Sequence, residues 1–200
     1  MPGAVVTLSS RGATTWEDGV MTTPEPQLLA FPDRKQDGRF PVKDETGKLL
    51  AHISVKWMGT SFTAADADDQ PLCAASSGAM GLSSLWKATG PAQEPLLSVK
   101  KSWTGTSAVV ALERGGTFSL RGSPWRRDFA VTDAEGGPLV TAVPQSSGWS
   151  FHPHDYAVQQ IQPIFHLAEM VAVVQIWRMV KKQEGAAGVV GIGAIGAAGA

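Results

Sequence analysis

The sequence predicts a mainly β fold that ends in an apolar α-helix. Short apolar or alternating runs recur through most of the chain, and turn residues separate them at regular intervals. Runs of this kind are typical of an antiparallel sandwich or barrel. Near the end, residues 164–180 (IFHLAEMVAVVQIWRMV) are apolar nearly all the way round a helix. A helix without a polar face must be surrounded either by lipid or by protein.

The composition suits one cytoplasmic domain. A chain of 200 residues, 43% of them hydrophobic, can build a substantial core. Its net charge of −1 provides no field to attract nucleic acid, so we expect no nucleic-acid partner. Cys73 is the only cysteine, which excludes an internal disulfide and fits a reducing cytoplasm. Residues 1–27 have no sustained periodicity and no signal-peptide pattern, and we predict a flexible leader there.

The β region extends from about residue 28 to residue 161. Motifs of the form D-x-x-G separate some of its runs, at Asp44–Gly47 and Asp133–Gly136, with a less regular version at 68–71. Asp and Gly at these offsets favour tight turns, because Asp bonds nearby backbone and Gly accepts a positive φ. The pattern therefore predicts repeated hairpins. The predicted strands include 40–42, 49–55, 62–64, 72–75, 96–99, 108–112, 117–120, 129–131, 139–143 and 156–161.

The helix is predicted over 163–182. Pro163 suits a first helical position, Lys181 and Lys182 complement the dipole at the C-terminal end, and Gly185 is a suitable stop. A helix of this length would span roughly 30 Å, enough to thread a small barrel or nearly cross a bilayer.

The polar residues of this helix favour protein surroundings over lipid. His166, Glu169, Gln175 and Arg178 project to different sides of the helix. In lipid, each central charge costs about 2.5–3.5 kcal/mol, whereas each large apolar residue returns only roughly 0.3–0.6 kcal/mol. The upstream strands could supply a closed sheet around the helix, and we therefore expect a helix enclosed by protein.

The repeated D-x-x-G hairpins and the run from His154 to Val158 (HDYAV), which leads into the apolar helix, resemble the tubby C-terminal-like superfamily. The resemblance is to its LURP-one-related and phospholipid scramblase-like branch, and it covers about residues 28–183. It implies a closed antiparallel β-barrel of about twelve strands that encloses the C-terminal hydrophobic helix. The Gly/Ala-rich tail, 184–200, lies outside the resemblance.

Relatives in this superfamily bind phosphoinositides or other phospholipids, so basic residues beside tryptophan are the candidate site. Trp favours the bilayer interface, where a neighbouring cation can meet phosphate. The candidate lipid-binding residues are Lys100, Lys101, Trp103, Trp125, Arg126 and Arg127. The alternative is a solvated barrel face, because lipid-binding sequences usually carry four to eight basic residues.

No motif in the sequence has all the residues that a catalytic or metal site needs, so we expect no enzymatic activity, no cofactor and no metal. The G-x-G-x-x-G match at 191–196 has no following strand. Asp66, Asp68 and Asp69 lack the Gly and Glu of a calcium loop, and the pair His152 and His154 has no evident further ligands. No serine has a nucleophile-elbow pattern. Cys73 follows Leu72 in a strand-like run, where packing in the core is expected.

Three functions remain open. The first is a non-enzymatic tubby-like domain that binds phospholipid headgroups or a protein partner at the membrane surface, with peripheral contact at the inner membrane face. The second is a scramblase-like, membrane-associated lipid transporter. The third is a protein-interaction scaffold with no lipid role.

Overall fold

The structure, a computed structural model, describes residues 15–17, 20–22, 27–56, 60–78, 84–103, 105–123, 128–145 and 155–193, with side chains from 27 to 183. Its elements in chain order are β1 Thr15–Glu17, β2 Val20–Thr22, β3 Gln27–Phe31, β4 Phe40–Asp44, β5 Leu49–Val55, β6 Ser61–Asp66, β7 Pro71–Ser77, β8 Leu85–Thr89, β9 Pro95–Lys101, β10 Ser107–Leu112, β11 Thr117–Gly122, β12 Phe129–Thr132, β13 Pro138–Pro144, β14 Tyr156–Gln160 and α1 Leu167–Gly193.

Strands β3 to β14 form one closed antiparallel barrel. Each strand pairs with the next along the chain, and β14 pairs with β3 to close the ring of twelve. The predicted closed barrel of about twelve strands with a C-terminal helix is therefore confirmed. Two barrel strands, β3 and β8, were not among the predicted runs. The hairpin of β1 and β2 is a separate two-stranded sheet within the predicted leader.

Alternation along each strand fills the barrel. On β10, Ala108, Val110 and Leu112 are buried whereas Val109 is 46% exposed, as the two-residue period of a strand requires. The buried side chains of the strands face α1, in which every residue from Met170 to Val180 is buried. The helix is therefore enclosed by protein, as predicted.

Five hairpins close with the same five-residue turn: β4–β5, β6–β7, β8–β9, β10–β11 and β12–β13. The amide of the first turn residue donates to the carbonyl of the fifth, and the amide of the fourth donates back to the first. The fourth residue has a positive φ in each turn: Gly47 (84°), Asp69 (60°), Gln93 (65°), Gly115 (104°) and Gly136 (86°). Because successive strands alternate in direction, all five turns lie at one end of the barrel, the five-turn end.

Two of these turns are the predicted D-x-x-G motifs. The turn expected at 68–71 begins at Asp66 and ends at Gln70, so Asp69 occupies the position that Gly fills in three of the other turns. The β8–β9 and β10–β11 turns have the same hydrogen bonds without an initial Asp. The opposite end of the barrel carries the β9–β10 turn with Trp103, and we call it the Trp103 end.

The helix begins later and ends later than predicted. Its first helical hydrogen bond runs from the Met170 amide to the His166 carbonyl (2.9 Å), so Pro163 precedes the helix instead of opening it. The Glu169 carboxylate accepts the His166 amide at 2.8 Å, which is half of a capping box. At the other end the backbone stays helical past Gly185 to Gly193.

Candidate functional site

The polar residues of α1 are used to fix the helix inside the barrel. At the five-turn end, Arg114 from the β10–β11 turn binds Glu169, with Nε–Oε1 at 2.8 Å and Nη2–Oε2 at 2.9 Å. Burial raises the pKa of the Glu169 carboxyl, but hydrogen bonds from Arg114 and from the His166 amide outweigh burial and hold the pKa below its usual value. Glu169 is therefore an ionised anchor where the helix enters the barrel.

Arg178 forms a second anchor, nearer the Trp103 end. Its Nη2 lies 2.9 Å from Asp33 Oδ1, and its Nη1 lies 3.2 Å from Gln175 Oε1. The Asp155 carboxylate in turn accepts the amide of Asp33. Burial lowers the pKa of the Arg178 guanidinium, and the charge of Asp33 opposes that shift. The two buried charges of α1, Glu169 and Arg178, are thus paired within the protein. A binding surface is therefore expected on the outside of the barrel.

The predicted residues of β9 and the β9–β10 turn divide between two faces. Lys101 follows Leu97 and Val99 on the inward face and is half-buried, whereas Lys100 points outward and is exposed. Trp103 lies in the turn beyond them and is fully exposed, at 102%. The two lysines therefore do not form one patch on the strand. Strand alternation predicts this division, because Lys101 lies two residues after Val99 and therefore on the same face as the buried residues.

Trp125, Arg126 and Arg127 lie outside the described residues. The residues that flank them are described: the Ser123 amide donates to the Asp128 carbonyl at 2.9 Å. The Gly122 amide donates to the Thr106 carbonyl at 2.8 Å, in the turn that holds Trp103. The segment that carries Trp125 is therefore joined to the barrel at the Trp103 end.

The helix leaves the barrel at this same end. Lys181 Nζ donates to the Gly105 carbonyl at 2.7 Å and lies 4.7 Å from the centre of the Trp177 ring. A Cβ added to Gly122 would lie 2.5 Å from the Trp177 ring, so glycine is required for this close approach. Beyond Lys181 the helix continues to Gly193. An exposed tryptophan and the emerging helix thus share the Trp103 end.

A concavity of about 370 Å³ lies on the outer face of the barrel over β5, β6 and β7. Its polar lining includes Arg39, His52, Thr63, Asp69 and Gln93. Sequence reasoning missed this site because its residues come from separate strands and turns and form no linear motif. The available signal was strand alternation, which places His52, Ser54 and Thr63 on the outer face of the sheet.

The structure places the residues that the sequence offered for metal or thiol chemistry. No three His, Cys, Asp or Glu side chains in the described part of the chain come together to hold a metal ion. Cys73 is buried in the core, and burial raises the pKa of its thiol to about 12, so the thiol is protonated near neutral pH. Asp66 accepts the amides of Asp68 (2.9 Å) and Gln70 (2.8 Å) and is thereby used within its own turn.

A family model described as LURP-one-related matches residues 33–177. The chain belongs to the LURP-one-related family. The match extends over most of the barrel and into α1, in agreement with the resemblance seen in the sequence.

A solved structure supports the fold of this LURP-one-related domain. It is an X-ray structure of a protein from Arabidopsis thaliana, 19% identical, with a TM-score of 0.57, and the match covers 79% of this chain and 93% of that chain. At this identity the likeness shows the fold alone. A second match, to a GtfA/B complex bound to UDP and GlcNAc, has a TM-score of 0.22 and 11% identity over 57% of this chain and 28% of that one, which does not indicate a shared fold. No curated protein matches the chain significantly.

Over the described residues, the LURP-one-related chain has no helix with both the length and the apolar character that a membrane crossing requires.

Proposed function

We propose that this LURP-one-related domain is a non-enzymatic binding module that attaches to phospholipid headgroups at a membrane surface through its Trp103 end. The observation that carries the proposal is Trp103 itself. It is the most exposed large apolar side chain of the described residues, and it stands in a turn at one end of a rigid barrel. An indole ring combines an apolar body with an N–H donor, which suits the boundary between headgroups and hydrocarbon.

The energy available from this residue is appreciable. An indole side chain can bury about 200 Å², and about half of that area would leave water in a shallow insertion. At about 25 cal/mol per Å², the gain is about 2.5 kcal/mol. This is more than a tenfold change in the partition constant, since a factor of ten corresponds to about 1.4 kcal/mol.

Basic residues at this end support a preference for anionic headgroups. Lys100 is exposed on the outer face of β9, and Lys182 is exposed where α1 leaves the barrel. Each lysine near an anionic surface contributes about 1 kcal/mol. Arg126 and Arg127 would add two charges, and they remain part of the proposed site together with Trp125 and Lys101. The total is modest, which suits peripheral and reversible contact.

The path of α1 supports the same orientation. Residues 185–200 include no charged residue, and α1 extends past Lys181 into this segment as far as Gly193. Because α1 leaves the barrel at the Trp103 end, this uncharged segment can follow Trp103 to a membrane surface without burying a charge of its own. It also places the five-turn end away from the membrane.

Liposome co-sedimentation tests the proposal. We expect the full chain to sediment with vesicles of phosphatidylcholine and phosphatidylserine and less with phosphatidylcholine alone. Trp103→Ala should lower the partition constant about tenfold or more. The matched control is Ile161→Ala, which removes an apolar side chain that is 37% exposed beyond β14, at the five-turn end. This control should bind as the unmodified protein does.

Four results would count against the proposal. Equal binding by Trp103→Ala and the unmodified protein would show that the site lies elsewhere. Unchanged binding after the combined Trp125→Ala, Arg126→Ala and Arg127→Ala substitutions would remove that segment from the site. No sedimentation with any vesicle would favour the scaffold without a lipid role. The transporter would be favoured if the protein were recovered only in detergent and moved fluorescent lipid between leaflets.

A further inference from the structure

The concavity over β5, β6 and β7 is lined by side chains with unused hydrogen-bonding capacity. His52 Nδ1 is buried and has no hydrogen-bond partner among the described residues. The Arg39 guanidinium forms an ion pair with Asp69 through Nη1 alone. Small residues such as Ala65 and Ala74 form part of the lining, which leaves room for a compact molecule. A volume of about 370 Å³ is at the lower end of the range for small-molecule sites, which is about 300–1,000 Å³.

The five equivalent turns provide an internal comparison for this site. Three of them have glycine at the fourth position, where φ is positive, and the other two have Asp69 and Gln93. A positive φ is unfavourable for residues other than glycine, more so for Gln than for Asp. Both exceptions line the concavity, whereas none of the three glycines does. Residues held in such conformations cluster at functional sites, and these two place a carboxylate and an amide at the concavity.

We propose that this concavity binds a compact organic carboxylate with an apolar body. Arg39 would receive the carboxylate, with His52 and the Gln93 amide as further donors. Pro71, Pro91 and the alanines of the lining would contact the apolar body. The proposal goes beyond membrane attachment, because this site lies on the side of the barrel near the five-turn end.

The charges around the concavity favour a carboxylate. Asp69 already shows that a carboxylate fits against Arg39, and it is 63% exposed, so it can turn into water when a ligand arrives. The hydrogen bond and charge of Arg39 lower the pKa of Asp69, and His52 contributes in the same direction, which places all three groups together. A dianion such as a phosphate monoester would meet the negative charge of Asp69 with only one arginine to offset it.

NMR titration of the full chain with benzoate tests the assignment. We expect saturable shifts of the Gln93 side-chain amide and the His52 ring signals. Benzyl alcohol, which has the same ring and no charge, should give much smaller shifts. Arg39→Gln should weaken benzoate binding about tenfold or more, because a charge-assisted pair is lost. Trp103→Ala should leave benzoate binding unchanged, which separates this site from the membrane proposal.

Glycine substitutions separate a binding role from a structural one. Gln93→Gly should weaken benzoate binding without lowering Tm, because glycine relieves the positive φ of 65°. Asp37→Gly is the matched control, since Asp37 also has a positive φ, of 52°, but does not line the concavity. It should bind benzoate as the unmodified protein does.

The proposal would be overturned by any of four results. These are equal shifts with benzyl alcohol, unaltered affinity in Arg39→Gln, full affinity in Gln93→Gly, or linear shifts without saturation. Tighter binding of phenyl phosphate than of benzoate would overturn the carboxylate assignment in favour of phosphate esters.

Discussion

Val173 provides a stringent test of the enclosed helix. It lies in the middle of the buried stretch of α1, is 1% exposed, and has the buried side chains of Met170 and Val174 beside it. We predict that Val173→Asp abolishes stable folding at pH 7, or nearly so. The reason is that the barrel offers this position neither water nor, among the neighbouring α1 side chains, a cation.

The magnitude can be estimated from three contributions. Loss of the buried valine side chain costs about 1.5–3 kcal/mol. A carboxyl with an ordinary pKa of about 3.9 must be protonated to enter the barrel, which costs about 4 kcal/mol at pH 7. An unsatisfied carboxylic acid group adds about 1–3 kcal/mol. Together they amount to about 7–10 kcal/mol, close to the whole stability of a typical domain at about 5–15 kcal/mol.

The penalty should depend on pH with a defined sign. In the folded variant, burial raises the pKa of the new carboxyl above its unfolded value, so the unfolded state alone is ionised at pH 7. Lowering the pH towards about 4 then reduces the loss of stability. Between pH 7 and pH 5 the recovery should reach about 2.7 kcal/mol, or about 1.4 kcal/mol per pH unit.

Urea unfolding followed by circular dichroism at pH 7 and pH 5 is the appropriate assay. The control is Val109→Asp, the same change at a site that is 46% exposed on the outer face of β10, and it should cost under about 1 kcal/mol at both pH values. Val173→Ala keeps the test informative if the aspartate variant does not fold, and it should cost about 2 kcal/mol. If Val173→Asp is as mild as Val109→Asp, α1 is not enclosed and the reasoning is refuted.

Three further predictions concern the anchors of the helix. Asp33→Ala leaves the buried Arg178 without its carboxylate and should cost about 3–5 kcal/mol in urea unfolding; a cost below about 1 kcal/mol would mean that the pair is not buried. The pKa of the Glu169 carboxyl lies below its usual value, so its ion pair stabilises the fold at higher pH and this stabilisation is lost as the pH falls through the lowered pKa. The Tm advantage of the unmodified protein over Glu169→Gln should therefore shrink between pH 6 and pH 3, and a constant difference would contradict the assignment. Gly122→Ala should cost about 1–3 kcal/mol in thermal unfolding, because the added Cβ would lie 2.5 Å from the Trp177 ring. An unchanged Tm would show that the ring can move aside.

The fold was predictable because its two signals are local. Alternating runs and D-x-x-G turns report strands and hairpins directly. The scattered polar residues of α1 favoured a protein environment, and Glu169 and Arg178 indeed find protein partners. The partners themselves were not predictable, because Arg114 and Asp33 lie 55 and 145 residues away along the chain.

The outer surface was harder to predict for physical reasons. Asp69 and Gln93 occupy turn positions where glycine is expected, so the β6–β7 turn was placed only approximately and the β8–β9 turn was not predicted. Arg39 meets Asp69 across 30 residues, and no spacing rule connects them. In contrast, the opposite facing of Lys100 and Lys101 follows from strand alternation and could have been anticipated.

Quenching of tryptophan fluorescence by bromine-labelled phospholipids tests the central claim, that the Trp103 end meets the membrane. The chain has seven tryptophans, of which Trp86 and Trp177 are buried in the barrel, so the difference between the unmodified protein and Trp103→Phe isolates the contribution of residue 103. On vesicles containing phosphatidylserine, we predict quenching that falls clearly in Trp103→Phe. Bound protein whose quenching is the same in both would contradict the proposed orientation.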